Sequence, residues 1–137
     1  MDLGFETIGN AILIAHDARP VLATDPWISG SAYFGSWTRA HEIPAEQLET
    51  IKNCEYIWVS HGHPDHLSIE SLKLLKDKKI LLADHVGGRI AKDLRGLGFN
   101  VSVLRDRVWT NLSPRINVVC ISDYNQDSLW TLVHGNN

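Results

Sequence analysis

The chain has 137 residues, 44% hydrophobic and 21% charged, with a formal charge of −3. That composition suits one globular domain, or part of a larger one, and excludes a collagen-like or disordered polypeptide. Basic and acidic residues are mixed without a Lys/Arg run, which argues against a partner bound along a nucleic-acid backbone.

Residues 11–15 (AILIA) and 21–24 (VLAT) are apolar β-forming runs. The segment His16-Asp17-Ala18-Arg19-Pro20 between them predicts a hairpin connection. Residues 25–37, rich in Gly, Ser, Pro and aromatics, read as an irregular loop, and Pro44 with residues 45–48 as a helix start. Residues 56–59 (YIWV) lack alternation, which predicts a strand buried on both faces. Residues 68–75 have helical apolar spacing with Ser68 as the cap. A strand follows at 80–83. A helix over 86–97 has apolar positions 86, 90, 94 and 97 and ends at Gly98. Further strands are expected at 101–104, 116–121 and 129–133. Strands alternating with helices imply an α/β layered fold. The last strand runs into His134-Gly135-Asn136-Asn137, a turn signal with no second strand after it. The expectation is a cut chain, with a C-terminal part missing.

Cys54 and Cys120 lie in different apolar segments and outside any CxxC pair, which excludes a zinc ribbon. They read as two reduced, buried thiols of a cytoplasmic protein. The apolar run at 11–15 is far shorter than the ~20 residues a membrane helix requires. The N-terminus, with Asp2 and Glu6 and no basic segment, does not resemble a signal peptide.

The informative segment is Val59-Ser60-His61-Gly62-His63-Pro64-Asp65-His66-Leu67. Four metal-capable side chains fall within six residues, directly after the strand at 56–59. His61 and His63 stand two apart in extended chain and project to the same side. Gly62 lets the backbone bend round an ion. Pro64 starts the reversal that brings Asp65 and His66 in from the following helix. Two pairs of ligands can begin two metal sites. Zn²⁺ suits this donor set, with Mn²⁺ and Fe²⁺ as alternatives. Packing is a poor explanation, because crowding ionisable groups costs several kcal/mol unless an ion or partner compensates.

The HGHPDH segment, an HxHxDH pattern, resembles the signature of the metallo-β-lactamase superfamily. Thr24-Asp25-Pro26-Trp27-Ile28-Ser29-Gly30, followed by Trp37, is similar to one branch of it. That branch holds the L-ascorbate-6-phosphate lactonases, the CMP-N-acetylneuraminate hydroxylases and, more distantly, the N-acylphosphatidylethanolamine phospholipases. Residues 57–75 and Asp127-Ser128-Leu129-Trp130 are most similar to the hydroxylase-like members. The resemblance implies the first half of an αββα sandwich. It implies His61 and His63 as ligands of one metal, Asp65 and His66 as ligands of a second, and about two Zn²⁺ per complete site. Asp65 is alternatively the catalytic base that orients water where one metal binds. Asp25 would orient a ligand imidazole, or would simply form a turn before Pro26. A third His of the first site, expected in many members, has no counterpart in residues 119–127. Asp123 is the favoured oxygen substitute and Asp127 the other. The family's bridging Asp and final His would belong to the absent second half.

Asp84-His85 at a strand end reads as surface or capping rather than ligand. His16, His41 and His134 stand alone in turns. Trp27, Tyr33, Phe34 and Trp37 cover the core or line a pocket, and Gly87-Gly88 is a weak phosphate signal. No GxSxG, P-loop or GxGxxG pattern occurs. The expected function is hydrolysis, by a metal-bound hydroxide, of an ester, lactone or phosphodiester of a small-molecule substrate, with no nucleic acid or membrane partner. The rivals are a non-hydrolytic metal-binding domain of a Rieske-type hydroxylase-like protein and an inactive truncated scaffold.

Overall fold

The computed structural model describes residues 2–84, 86–122 and 129–135. Six strands form one sheet in sequential order: β1 (Leu3–Ile8), β2 (Ile12–Asp17), β3 (Pro20–Thr24), β4 (Tyr56–Val59), β5 (Lys79–Ala83) and β6 (Asn100–Leu104). β1 to β3 pair antiparallel, and β3 to β6 run parallel. The parallel strands are joined through helices α1 (Ala45–Lys52), α2 (Ile69–Lys73) and α3 (Arg89–Gly96). A second sheet of three antiparallel strands holds β7 (Thr110–Asn111), β8 (Ile116–Ser122) and β9 (Leu129–Gly135).

Alternation along the central strands sorts side chains between two cores. Ile57 and Val59 of β4, with Ile80 and Leu82 of β5, pack against Ile51 of α1, Leu72 of α2 and Ala91 and Leu94 of α3. Trp58 and Leu81 face the other way and pack with Leu112, Ile116, Val118 and Cys120. The helices therefore share one face of the large sheet, and the small sheet covers the opposite face. This layering matches the expected α/β sandwich. Truncating Ile57, which is fully buried, to Ala is expected to cost about 2–5 kcal/mol.

Several local expectations need correction. The hairpin turn is Ala18-Arg19 alone, because His16 and Asp17 end β2 and Pro20 opens β3, where its missing N–H does no harm. His16 thus lies in a strand rather than a turn, buried, with Nε2 3.2 Å from Glu6 Oε2. β1 was not anticipated. Its apolar Leu3 and Phe5 point outward, so its sequence lacks the usual signal of a buried face. The helix after β5 begins at Arg89 instead of residue 86. Gly87 (φ 78°) and Gly88 (φ 62°) are left-handed and break it from the short 3₁₀ turn before it. β9 continues beyond residue 133 through His134 and Gly135, which pair with Asn117 and Ile116, and Asn136 and Asn137 of the expected turn lie outside the described residues.

The small sheet is tied to the large one at Asp17. Its Oδ2 accepts from Ser113 Oγ (2.7 Å) and the Arg115 backbone N–H (3.0 Å), and its Oδ1 from Arg115 Nε (2.6 Å). The Ser113 hydrogen bond, assisted by Arg115, holds the Asp17 carboxyl below the usual carboxylate range despite burial. Both cysteines are free and buried. Burial pushes the thiols up to about 12 (Cys54) and about 11 (Cys120), which keeps them protonated. No helix among the described residues is long and apolar enough to cross a membrane.

Candidate metal centre

The cluster forms where neighbouring parallel strands end. β3 delivers Asp25 and β4 delivers Ser60 and His61, and the two strands are hydrogen-bonded neighbours. Carboxyl ends of parallel strands are where α/β sheets gather ligand-binding groups. The Asp25 N–H extends the pairing by donating to Trp58 O at 2.7 Å. Beyond β4 the chain bends at His61-Gly62. Pro64 then opens a turn in which the His66 and Leu67 N–H groups both donate to His63 O. The Ser68 hydroxyl accepts from Ser71 N and caps α2, fixing the exit of that turn.

This path brings the four expected side chains together. His61 Nε2 lies 2.9 Å from His63 Nδ1, with the rings edge to face at 4.6 Å between centroids. The His61 and His66 rings are 4.2 Å apart. His66 Nε2 lies 3.4 Å from Asp65 Oδ2. The other nitrogens of two rings are tied back. His66 Nδ1 meets Asp25 Oδ2 at 2.9 Å, and His61 Nδ1 meets Ser60 Oγ at 2.8 Å. Buried Asp25 also accepts from Ser60 N and Ser60 Oγ, each at 2.7 Å. Its backbone is left-handed (φ 39°), so the turn and the orienting contact expected as alternatives occur in one residue.

Asp65 is 7% exposed and held at both oxygens. Tyr33 donates its hydroxyl to Oδ1 and Asn10 its Nδ2–H to Oδ2, both at 3.0 Å. Burial raises the Asp65 carboxyl, but these two hydrogen bonds and His66 more than offset it and leave it below its ordinary value. Burial lowers His61, and repulsion from His66 and His63 lowers it further. The cluster therefore favours a neutral His61 ring and an ionised carboxylate, the protonation states that metal ligation requires.

Among the described residues no group of three or more His, Cys, Asp or Glu side chains stands arranged to hold a metal ion. The rings of His61 and His63 are turned onto each other instead. Zinc–nitrogen bonds of about 2.0–2.1 Å at tetrahedral angles would set two ligand nitrogens roughly 3.3 Å apart. The observed 2.9 Å is short of that by a few tenths of an ångström, so a small opening of the pair fits an ion. The donor set fits as well: His66 Nε2 is left facing the carboxylate once Asp25 has taken Nδ1.

Other expectations fall differently. Asp123, Asp127 and His85 lie outside the described residues, and Asp84 is exposed. Trp27 belongs to the core and donates Nε1–H to Gly30 O. Tyr33 and Trp37 pack at 4.7 Å on the cluster side, and Phe34 is fully exposed. Gly62 has no left-handed φ, and among the described residues a Cβ there would meet only Ile90 Cδ1 at 3.4 Å. The expected conformational need for glycine at this position is therefore absent. Sequence reasoning gave no role to Asn10 and Ser60 and did not connect Tyr33 to Asp65. Ser60 adjoins the motif and was within reach of a local reading. Asn10 and Tyr33 arrive from loops 55 and 32 residues away in the chain.

Comparison with known proteins agrees with this architecture. No protein-family model matches the chain. The cytidine monophosphate-N-acetylneuraminic acid hydroxylase of Mus musculus is 30% identical over 105 residues, covering 72% of this chain and 18% of the relative. That of Xenopus laevis matches at the same identity and coverage. Among solved structures, CmlA, a diiron beta-hydroxylase from Streptomyces venezuelae, superposes with TM-score 0.66 at 21% identity, over 97% of this chain and 27% of that one. An isothiocyanate hydrolase from Delia radicum gut bacteria superposes with TM-score 0.67 at 17% identity, over 96% of this chain and 58% of that one. This chain spans about a fifth of the length of the curated hydroxylases it matches. The chain has the metallo-β-lactamase fold of these neighbours, and over 72% of its length it is similar to the cytidine monophosphate-N-acetylneuraminic acid hydroxylases.

Proposed function

We propose that the chain carries the metal site of a metal-dependent hydrolase acting on a small ester, lactone or phosphodiester. His61 and His63 would hold one metal, and Asp65 and His66 a second where two bind. Zinc is the favoured metal, with Mn²⁺ and Fe²⁺ as alternatives. The observation that carries the reading is the pair of back-side contacts, Asp25 on His66 Nδ1 and Ser60 on His61 Nδ1. They leave both Nε2 atoms for the interior of the cluster. When bound, the metal supplies a Lewis acid that lowers the pKa of water towards ~7 and polarises the reacting oxygen.

The protein's own part is to fix these groups and handle the proton. Asp25 holds the His66 ring by Nδ1. Tyr33 and Asn10 lock the Asp65 carboxylate, which either ligates or accepts a proton from the attacking water. A second reading, a metal-binding domain that serves an oxidation, is favoured by the hydroxylase relatives and by the diiron neighbour. Metal analysis and chelator competition separate the two. The hydrolase reading expects zinc-loaded protein to cleave lactones or phosphodiesters without reductant or oxygen. Activity that appears only with iron, oxygen and a reductant would establish the oxidative reading instead. Both expect His61→Ala with His63→Ala to abolish tight metal binding, and retained binding in that double variant sinks both.

A further inference from the structure

Beside the cluster lies a cavity of about 250 Å³ whose wall includes Ile8, Asn10, Arg39, His41, Glu42 and Ile43. Arg39 is one of its wall residues, and its side chain is 14% exposed. Nη1 donates to Gly30 O at 3.2 Å, and the group sits over the Trp27 ring at 5.9 Å. Nε is shielded from water and meets no acceptor among the described residues. Among the described residues Nη2 reaches only Glu42 Oε2, at 3.6 Å, and Glu42 is 93% exposed. A guanidinium buried to this degree is ordinarily met by a bidentate oxyanion. A long contact to a solvated carboxylate is a weak substitute. Nη2, with only that long contact among the described residues, is thus under-used, and it belongs to a residue that lines a cavity.

That cavity is linked to the candidate metal centre through one wall residue. Asn10 is part of its wall, and the Asn10 side chain donates to Asp65 Oδ2 at 3.0 Å. We propose that Arg39 binds the oxyanion of a small substrate, a carboxylate or a phosphoryl group, in this cavity, and so orients the reacting part of that molecule towards the Asp65 side of the cluster. The orienting role rests on the metal-enzyme reading above. The anion site itself stands without it.

The test uses the whole 137-residue chain, stripped of metal with a chelator so that no ion in the cluster can hold the anion. Inorganic phosphate and, separately, acetate are titrated at constant ionic strength while the arginine Nε–Hε signals are followed by NMR. The expected result is a saturable shift of the Arg39 signal, with the stronger of the two anions identifying the oxyanion preferred. Arg39→Lys keeps the charge but loses the fork and should weaken binding about tenfold. Exposed Glu42→Gln removes the competing carboxylate without touching the core and should tighten binding about two- to threefold. The proposal is overturned if neither anion shifts the Arg39 signal saturably, or if affinity is unchanged in both variants. Metal loading is measured on the same samples. Normal loading with no anion site would remove this substrate class and leave the proposed metal chemistry standing.

Discussion

Asp25 is the residue whose replacement tests the centre most sharply. Its carboxylate accepts from Ser60 N, Ser60 Oγ and His66 Nδ1 within 2.7–2.9 Å and is nearly buried. Asp25→Ala deletes all three acceptor contacts and puts alanine at φ 39°. Hydrogen bonds to charged groups contribute roughly 1.5–3 kcal/mol each, less where water can replace the partner, so a loss of about 4 kcal/mol is expected. For a domain of this size that corresponds to a Tm lowered by about 10–15 °C. Asp25→Asn separates stability from metal chemistry. Asparagine tolerates the left-handed backbone, and its oxygen can still accept from Ser60 N. Its amide then faces His66 Nδ1, which must become the acceptor. The imidazole proton moves to Nε2, the atom offered to the metal. Metal-free Asp25→Asn should therefore lose only about 1–2 kcal/mol, while zinc affinity falls by at least about 10–100-fold. Urea unfolding of the metal-free protein and competition with a chromophoric zinc chelator read the two effects. Wild-type zinc affinity in Asp25→Asn would refute the claim that Asp25 sets the His66 tautomer.

Tyr33→Phe removes one of the two donors that lock Asp65 and should cost about 1 kcal/mol. A carboxyl ¹³C titration should then show the Asp65 pKa moved upward, and an unchanged value would mean that Tyr33 does not hold the carboxylate. Asp17 is depressed in the folded state, so the folded chain binds fewer protons than the unfolded chain just below the ordinary carboxylate range of about 4. The stability that Asp17 supplies is complete above that value and is lost as pH falls through the depressed one. Asp17→Asn should flatten the acid limb of a stability-versus-pH curve measured by denaturant midpoints, and an unaltered limb would contradict this. Gly62→Ala places a methyl in ordinary contact with Ile90 and should change stability by no more than about 0.5 kcal/mol, read by the same unfolding measurement.

What the sequence made legible follows from the range of the signals. The strand at Tyr56–Val59, the Ser68 cap and the cluster immediately after β4 are encoded within a few residues of one another, and all three sit where local patterning places them. Other features depend on what lies across the sheet. The strand Leu3–Ile8 turns Leu3 and Phe5 outward on an edge and packs only Ile8 against the core, so its alternation does not mark a core face. The break at Gly87-Gly88 is a backbone choice that apolar spacing alone does not reveal. β8 and β9 carry ordinary strand patterns, and nothing in such a pattern says that they leave the main sheet or that β8 covers its other face.

The same division of range explains the site. Four ligand-type residues can be packed into one turn, but a turn cannot choose which nitrogen of each imidazole faces inward. That choice requires a fixed acceptor behind the ring. For His61 the chain supplies Ser60, its neighbour. For His66 it supplies Asp25, 41 residues earlier, which reaches the ring only because β3 and β4 are adjacent parallel strands ending together. The Asp65 carboxyl is likewise held below its ordinary value, against its burial, with the help of Tyr33 and Asn10, each brought in by a different loop. The short motif thus names the atoms, and the sheet order decides their protonation. A peptide carrying residues 57–75 alone would keep all four side chains but lose the Asp25, Tyr33 and Asn10 contacts. It should bind zinc far more weakly than the folded chain under the same chelator competition.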